Sequence, residues 1–447
     1  MKLSKLNFGS LFLLFALKML LFGLVFGVLA SLSYVYPEFL KDKLGFISLR
    51  PLHVSSAMFW IILGATGCIY SGLQIYTGTS ASNQRSKWQF ILWTVAIIGI
   101  FFSYFLKDFG GREYWEFNPI WALPIVMAWI LFISNFITMV KGFKQWPVYV
   151  WMWLTGIIFF LFTFLENYLW IFPIFRSHFV TDMTIQWKVN GSLVGSWNQI
   201  LYGTAFFLMD RIENSKSTGR SKLAFFMFFL GLFNLMFNWG HHIYTLPTEK
   251  YIRYIGYWVS MTEWVFFIRI IYEWKKNITT IQKNYHHFPY RFLMASEIWV
   301  FLNMGQAILM SIPAINIFTH GTHVTVAHAM GTTIGINSMI LLAACFEFLN
   351  FNLEKHARKI KTLNITFWFL QSFLLLFWLA LNGAGIRKGI WQMSVNQSSY
   401  SQMMESLNPF ISVFVVSGAG LLISFSIIAF VLIKSSISRN VIYHQDS

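Results

Sequence analysis

Four histidines stand in strongly apolar surroundings: His53, the adjacent pair His241 and His242, and His328. Asn190 is a fifth polar residue in such a setting. Neutral imidazole is the usual protein ligand of haem iron and of non-haem iron. The two cysteines, Cys68 and Cys345, fall in separate apolar runs, so neither a disulfide framework nor a thiolate cluster is expected. Neighbouring residues on an α-helix diverge by about 100°, so His241 and His242 can share one metal only if it lies between helices. A lone His-His pair is a weak signal, because a buried histidine is often no more than an interhelical hydrogen bond. Set across a bundle from His328, the pair suggests a non-haem metal facing a haem.

These residues must be positioned by membrane helices. The chain has 447 residues, 56% hydrophobic and 11% charged, with a mean hydropathy of +0.57. A soluble domain carries roughly 25% charged residues. The composition therefore excludes a soluble enzyme, a disordered chain and a nucleic-acid-binding domain. A crossing needs about 20 apolar residues, and about twelve such runs occur. They centre on residues 11–34, 50–76, 89–106, 120–141, 146–171, 184–209, 221–244, 251–273, 290–312, 316–349, 363–382 and 407–434. The first run follows Lys2 and Lys5 without a small-residue cleavage site and reads as a retained helix. The expectation is an all-α protein, with residues 1–447 forming a single integral membrane domain of about twelve helices.

The formal net charge of +16 reads as basic loops on one side of a membrane rather than as nucleic-acid affinity. Lys2, Lys5, Arg85, Lys87, Lys141, Lys144, Arg211, Lys216, Arg220 and Lys222 fall at the N-terminus and in even-numbered loops. Lys275, Lys276, Lys283, Lys355, Arg358, Lys359 and Lys361 do so too. The positive-inside rule then puts both termini in the cytoplasm. With that orientation, His53 opens helix two at its outer end and Asn190 lies near the outer start of helix six. His241 and His242 end helix seven on the outer side, and His328 sits about a third of the way into helix ten. All five share one depth, toward the outer face. Polar side chains inside a bilayer are costly and are usually paired or functional.

Two motifs carry a family resemblance: Trp239-Gly240-His241-His242-Ile243-Tyr244-Thr245 and His320-Gly321-Thr322-His323-Val324-Thr325-Val326-Ala327-His328. With Arg50-Pro51-Leu52-His53 and Gly111-Arg112-Glu113-Tyr114-Trp115-Glu116, they resemble the catalytic subunit of cytochrome c-dependent nitric oxide reductase, in the haem-copper oxidase superfamily. Glu263 lies 21 residues beyond His242, as the active-site glutamate of that family does. The resemblance implies that His328 is the proximal ligand of a high-spin haem b and that His241 and His242 hold a non-haem iron. His53 would be an axial ligand of a low-spin haem b. Glu263 would act beside the iron as a charge balancer or proton relay, and Glu116 resembles a calcium ligand.

The chain departs from that pattern at three places. The second low-spin ligand, two residues beyond His328, is Met330 where the family has histidine. Residues i and i+2 of a helix project to opposite sides, so His328 and Met330 can each face its own haem. A packing methionine is the alternative. In helix six Asn190 takes the place of the third metal-binding histidine, and Val194 that of a glutamate, on an alignment resting on Trp187, Gly195 and Trp197. His178 is the nearby histidine that could substitute, in the outer loop. Finally, His320 and His323 precede His328 and are read as structural or as propionate partners. His286, His287, His356 and His444 are expected to be solvated on the cytoplasmic side.

The resemblance implies two-electron reduction of nitric oxide to nitrous oxide in a bacterial inner membrane. No Cys-x-x-Cys-His motif occurs, so electrons would come from a separate cytochrome c subunit or donor. Nitric oxide dismutation to dinitrogen and oxygen is the runner-up, favoured by Asn190 and Val194. Oxygen reduction and a histidine-lined transporter are weaker alternatives. If Met330 binds iron opposite His53, Met330→His should lower the low-spin haem potential, because a more basic ligand stabilises ferric iron. Axial ligands help set haem potentials over about 0.8 V, so a fall of roughly 100 mV is expected in a redox titration. An unchanged potential would make Met330 a packing residue.

Overall fold

The computed structural model describes residues 7–140, 142, 145–244, 246–260, 264–349, 351 and 357–442. Its long helices are α1 (Phe8–Leu32), α2 (Phe46–Thr77), α3 (Asn83–Phe105), α4 (Ala122–Met139), α5 (Val148–Glu166), α6 (Phe179–Glu213) and α7 (Lys222–Phe237). They continue with α8 (Lys250–Ser260), α9 (Trp264–Asn277), α10 (His287–Ser311), α11 (His323–Met330), α12 (Met339–Phe348), α13 (Ala357–Met393) and α14 (Asn408–Ile442). Among the described residues the β pairing found is an isolated bridge between Arg112 and Trp115.

Ten helical stretches are long and apolar enough to cross a membrane. Two more passes complete the expected dozen. One is α6, whose 35 residues have a low mean hydropathy because Asp182, Lys188, Asn190 and Gln199 face protein rather than lipid. The other would be formed by α8 (Lys250–Ser260) and α9 (Trp264–Asn277), which are described separately. Lipid offers no hydrogen bonds, so a spanning chain satisfies its backbone within helices.

Several helices differ from their expected runs. α2 begins at Phe46, so His53 lies two turns inside it and Pro51 is internal. The expected run 316–349 is divided. A short helix, Pro313–Thr319, stops before Gly321, whose φ of 69° reverses the chain, and α11 restarts at His323 behind the cap of Thr322. α11 then passes into a π-helix, Gly331–Ser338, before α12.

The bundle closes where small residues let backbones meet. A Cβ on Gly67 of α2 would lie 2.7 Å from Leu13 and 2.8 Å from the Gly9 carbonyl of α1. Such contacts hold membrane helices together, since lipid is as apolar as leucine. Polar residues lock other seams. Asn135 of α4 donates to Tyr70 of α2 at 2.8 Å and to Ser86 of α3 at 3.0 Å, and Tyr70 donates to Gln89 at 2.5 Å. Trp60 of α2 donates to Ser338 at the end of the π-helix at 2.8 Å.

Between α3 and α4 the chain folds back on itself. Gly110 and Gly111 both donate to the Glu116 carbonyl, at 3.1 and 3.2 Å, which buries Trp115 completely. A Cβ on Gly111 would fall on the Trp115 carbonyl, a backbone atom that cannot yield. Gly111→Ala should therefore destabilise the protein by about 1–3 kcal/mol, the usual cost of overpacking. Gly305→Ala meets open space and serves as the control. Thermal unfolding in detergent checks this; equal midpoints for the two variants would show that the turn can relax.

Candidate metal and haem layer

His53 is oriented from α1. Its Nδ1 lies 2.7 Å from the Gly23 carbonyl. A carbonyl only accepts, so Nδ1 carries the proton and Nε2 is left as the basic nitrogen, the arrangement typical of metal-binding histidines. One turn away, Gly27 makes the space: a Cβ there would stand 2.6 Å from Nδ1. An orientation set by a backbone carbonyl and room cleared by glycine fit an axial haem ligand.

The His241–His242 pair lies on a 3-10 turn, Asn238–Ile243, at the end of α7. Their ring centroids are 4.1 Å apart. Trp187 of α6 stacks on His242 at 5.6 Å with planes 6° apart, and His320 meets the same indole at 6.1 Å. Gly191 permits this approach, since a Cβ there would lie 2.9 Å from Trp239. Asn190, the residue before it, is 3% exposed, and neither polar atom of its side chain has a partner. Leaving both ends of a buried amide unpaired is costly. An amide oxygen there could complete a metal site with the two histidines.

His328 of α11 lies within electrostatic reach of His242, as do His241 and His320. Its ring is buried, with the Asn303 backbone of α10 beside it. The π-helix starts three residues later, a distortion often found at functional sites. It is held by Asn303 of α10, which donates to Thr332 at 2.7 Å, and by Trp299, which packs on Gly335. Met330, its N-cap residue, is half-buried against the main apolar core. Burial holds the His320 imidazole below its ordinary proton affinity.

Glu116 is tied to the motif of His53. Arg50 donates to it at 2.6 Å and to Glu113 at 3.2 Å. Burial pushes the Glu116 carboxyl above the usual glutamate value, while Arg50 pulls it back. For the calcium that the resemblance implies, only Glu116 Oε2 is buried and unpartnered. Among the described residues no three His, Cys, Asp or Glu side chains gather as a ligand set. Arg50 thus supplies the counter-charge calcium would bring, and the residues present do not form a calcium cage. Glu263, His356 and His444 lie outside the described residues.

Two expectations change. His286 and His287 are not solvated: His286 is buried and pairs with Glu347 at 2.8 Å, and the half-buried His287 meets Asn364 at 2.9 Å. Their partners come from helices beyond the basic loop and are invisible in local sequence. His178 is the exposed N-cap residue of α6 and does not replace Asn190. Sequence reasoning also missed the indole of Trp187 as a wall of the site. Its spacing from Asn190, nearly one helical turn, was the available signal.

Comparison with known proteins agrees with this architecture. Residues 7–423 match the family described as cytochrome c and quinol oxidase polypeptide I. Cytochrome c oxidase subunit 1 of Rhodobacter capsulatus is 22% identical over 424 residues, covering 89% of this chain and 79% of the relative. A nitric oxide reductase subunit of Stutzerimonas stutzeri is 23% identical over 362 residues, covering 74% of this chain and 72% of the relative. The fold matches a haem-copper terminal oxidase solved as a dimer with a TM-score of 0.74 at 14% identity, over 96% of this chain and 84% of that one.

The protein is a polytopic respiratory oxidoreductase of the haem-copper oxidase superfamily. Within that superfamily the chain belongs to the cytochrome c and quinol oxidase polypeptide I family. Gly27→Leu should drive the His53 ring from its seat and remove the low-spin haem absorption, with the rest of the haem spectrum retained. A variant with an unaltered low-spin band would show that His53 does not bind that haem.

Proposed function

We propose that this chain reduces two molecules of nitric oxide to nitrous oxide and water, consuming two electrons and two protons. The observation that carries this reading is Tyr244. Oxidases of the superfamily typically set a tyrosine cross-linked to a histidine beside the metal. Here the Tyr244 hydroxyl bonds instead with the backbone carbonyls of Arg253 and Ser311, at 3.2 and 3.1 Å. The nitric oxide reductase relative supports the same reading, although an oxidase matches at similar identity.

When bound, two haems b and a non-haem iron supply electrons and hold the two nitrogens close together. His328 would hold the haem at which nitric oxide is reduced, and His53 with Met330 would hold a haem that supplies electrons. His241, His242 and the Asn190 amide oxygen hold the iron. An amide binds iron more weakly than imidazole, which leaves that position more open. Trp187 keeps His242 in plane, so the iron's ligand does not swing when charge changes. Glu263 is the proposed proton relay at the iron, because Val194 can neither bind metal nor pass protons. A separate cytochrome c is the donor. The layer faces the outer side of a bacterial inner membrane with both termini in the cytoplasm, as the charged loops favour.

Dismutation to dinitrogen and oxygen is the second reading, favoured by Asn190 together with Val194. It needs no net electrons, so labelled substrate separates the two. Purified protein given [15N]nitric oxide and a reductant should form labelled nitrous oxide with two electrons consumed per molecule. Labelled dinitrogen and oxygen formed without reductant would overturn the reductase. Rapid reduction of oxygen with no turnover of nitric oxide would overturn both.

A further inference from the structure

Glu297 stands in the membrane interior with no stated role. It lies in the span formed by α10, about 15 Å from the His287 end at 1.5 Å per residue. It is 4% exposed, and neither carboxylate oxygen has a partner. Among the described acids it alone has both oxygens buried and unpaired. The other acids with buried oxygens differ. Glu347 is matched by Arg211 at 2.9 Å and His286 at 2.8 Å, and Asp210 accepts from Gly219 at 3.0 Å. An ionised carboxylate without donors in such a place is costly, and intramembrane acids commonly mark proton routes.

Its neighbours define a route. Tyr290, seven residues before Glu297, packs on Trp274 of α9 at 5.9 Å, and Phe301, four residues after, packs on Phe267 at 6.5 Å. Glu297 therefore occupies the α9–α10 seam between two ring pairs. α6 closes that seam: Trp274 donates to the Met209 carbonyl at 3.1 Å, and Tyr202 packs on Phe267 at 6.1 Å. Toward the lysine-rich end, the exposed Lys275 and the Tyr290 phenol lie within electrostatic reach of Glu297. In the other direction Tyr202, Asn198, Val194 and Asn190 recur every four residues and form one ridge of α6, about 18 Å long. Asn198 Oδ1 on that ridge is buried without a partner. An acid with no partner thus sits between a basic surface and a ridge that leads to the candidate metal layer.

We propose that Glu297 is a proton-holding relay, which passes its carboxyl proton along the Tyr202–Asn198 ridge toward the layer of Asn190 and His242 and is reprotonated from the surface around Lys275. In the transfer the carboxyl O–H bond breaks and the proton is taken up by water beside the Tyr202 hydroxyl and the Asn198 amide, and water carries it past Val194. The carboxylate then regains a proton from water at the lysine-rich surface, which is the cytoplasmic side in the proposed orientation. The relay rests on the proton-consuming reduction proposed above, so its test begins without substrate.

Redox-induced infrared difference spectra of the purified holoprotein, in H2O and D2O, read the carboxyl directly. Wild type should show a deuterium-sensitive carboxyl C=O band that changes with the redox state of the metals. Glu297→Gln should abolish that band and Glu297→Asp should shift it. With haem and metal content unchanged, Glu297→Gln should slow turnover and coupled proton uptake at least tenfold. Lys275→Met, at an exposed position, should slow proton uptake severalfold and leave the band in place. If Glu297→Gln fails to accumulate, the shifted band of Glu297→Asp carries the assignment. Absence of any redox-linked band assignable to Glu297 would overturn the relay, as would wild-type turnover in Glu297→Gln. The band does not depend on which gas is reduced, so a failure of the nitric oxide reading alone would leave it intact.

Discussion

Within a bilayer no water replaces a lost hydrogen bond, and every polar side chain carried into the bundle must find its partner from another helix or from a bound group. The architecture follows from that constraint. Asn135 donates to Tyr70 and Ser86 and Tyr70 donates to Gln89, a chain of bonds that fastens three helices. Trp60 settles its bond on Ser338 and fixes the end of the π-helix to α2. Beside His242, by contrast, the Asn190 side chain is buried with both of its polar atoms unpartnered. A buried amide left unpaired beside two imidazoles marks a place where the bundle can receive something other than protein.

Room at that layer is made by missing side chains more than by present ones. Gly23 and Gly27 let α1 press against the His53 ring, and Gly191 lets α6 reach the turn that carries His242. Gly240 and Gly256 bring α8 against the same turn, where a Cβ on Gly256 would stand 2.9 Å from the His241 nitrogen. Each of these glycines has a conformation open to alanine. What forbids the larger residue is the neighbour's proximity, which makes their role packing rather than backbone freedom.

Much of this was legible in the residues themselves. Apolar run length anticipated about twelve crossings, and the depth argument set Asn190 in one layer with His242, beside which Gly191 of α6 packs. The residues fell short where information was not local. α6 carries more polar residues than the other spans, and the Arg112 and Glu166 side chains that pair with its Asp182 and Lys188 are distant in sequence. The π-helix of Gly331–Ser338 arises from contacts with Trp299 and Asn303, which no periodicity in the segment announces. His286 and His287 escape water because Glu347 and Asn364 come back from other helices to a lysine-rich loop that by itself suggests solvent.

The seat of His53 has a consequence for biogenesis. Its two sides, the Gly23–Gly27 stretch of α1 and the third turn of α2, belong to consecutive long helices joined by a short connecting segment. Once residue 77 has left the ribosome and the first hairpin has partitioned into lipid, the ring's tautomer and direction are already set. His242 and His328 must wait for several further crossings. Insertion order alone therefore separates the maturation of the two halves of the layer, with the His53 seat prepared first and the His242 and His328 side assembled around it as later hairpins dock.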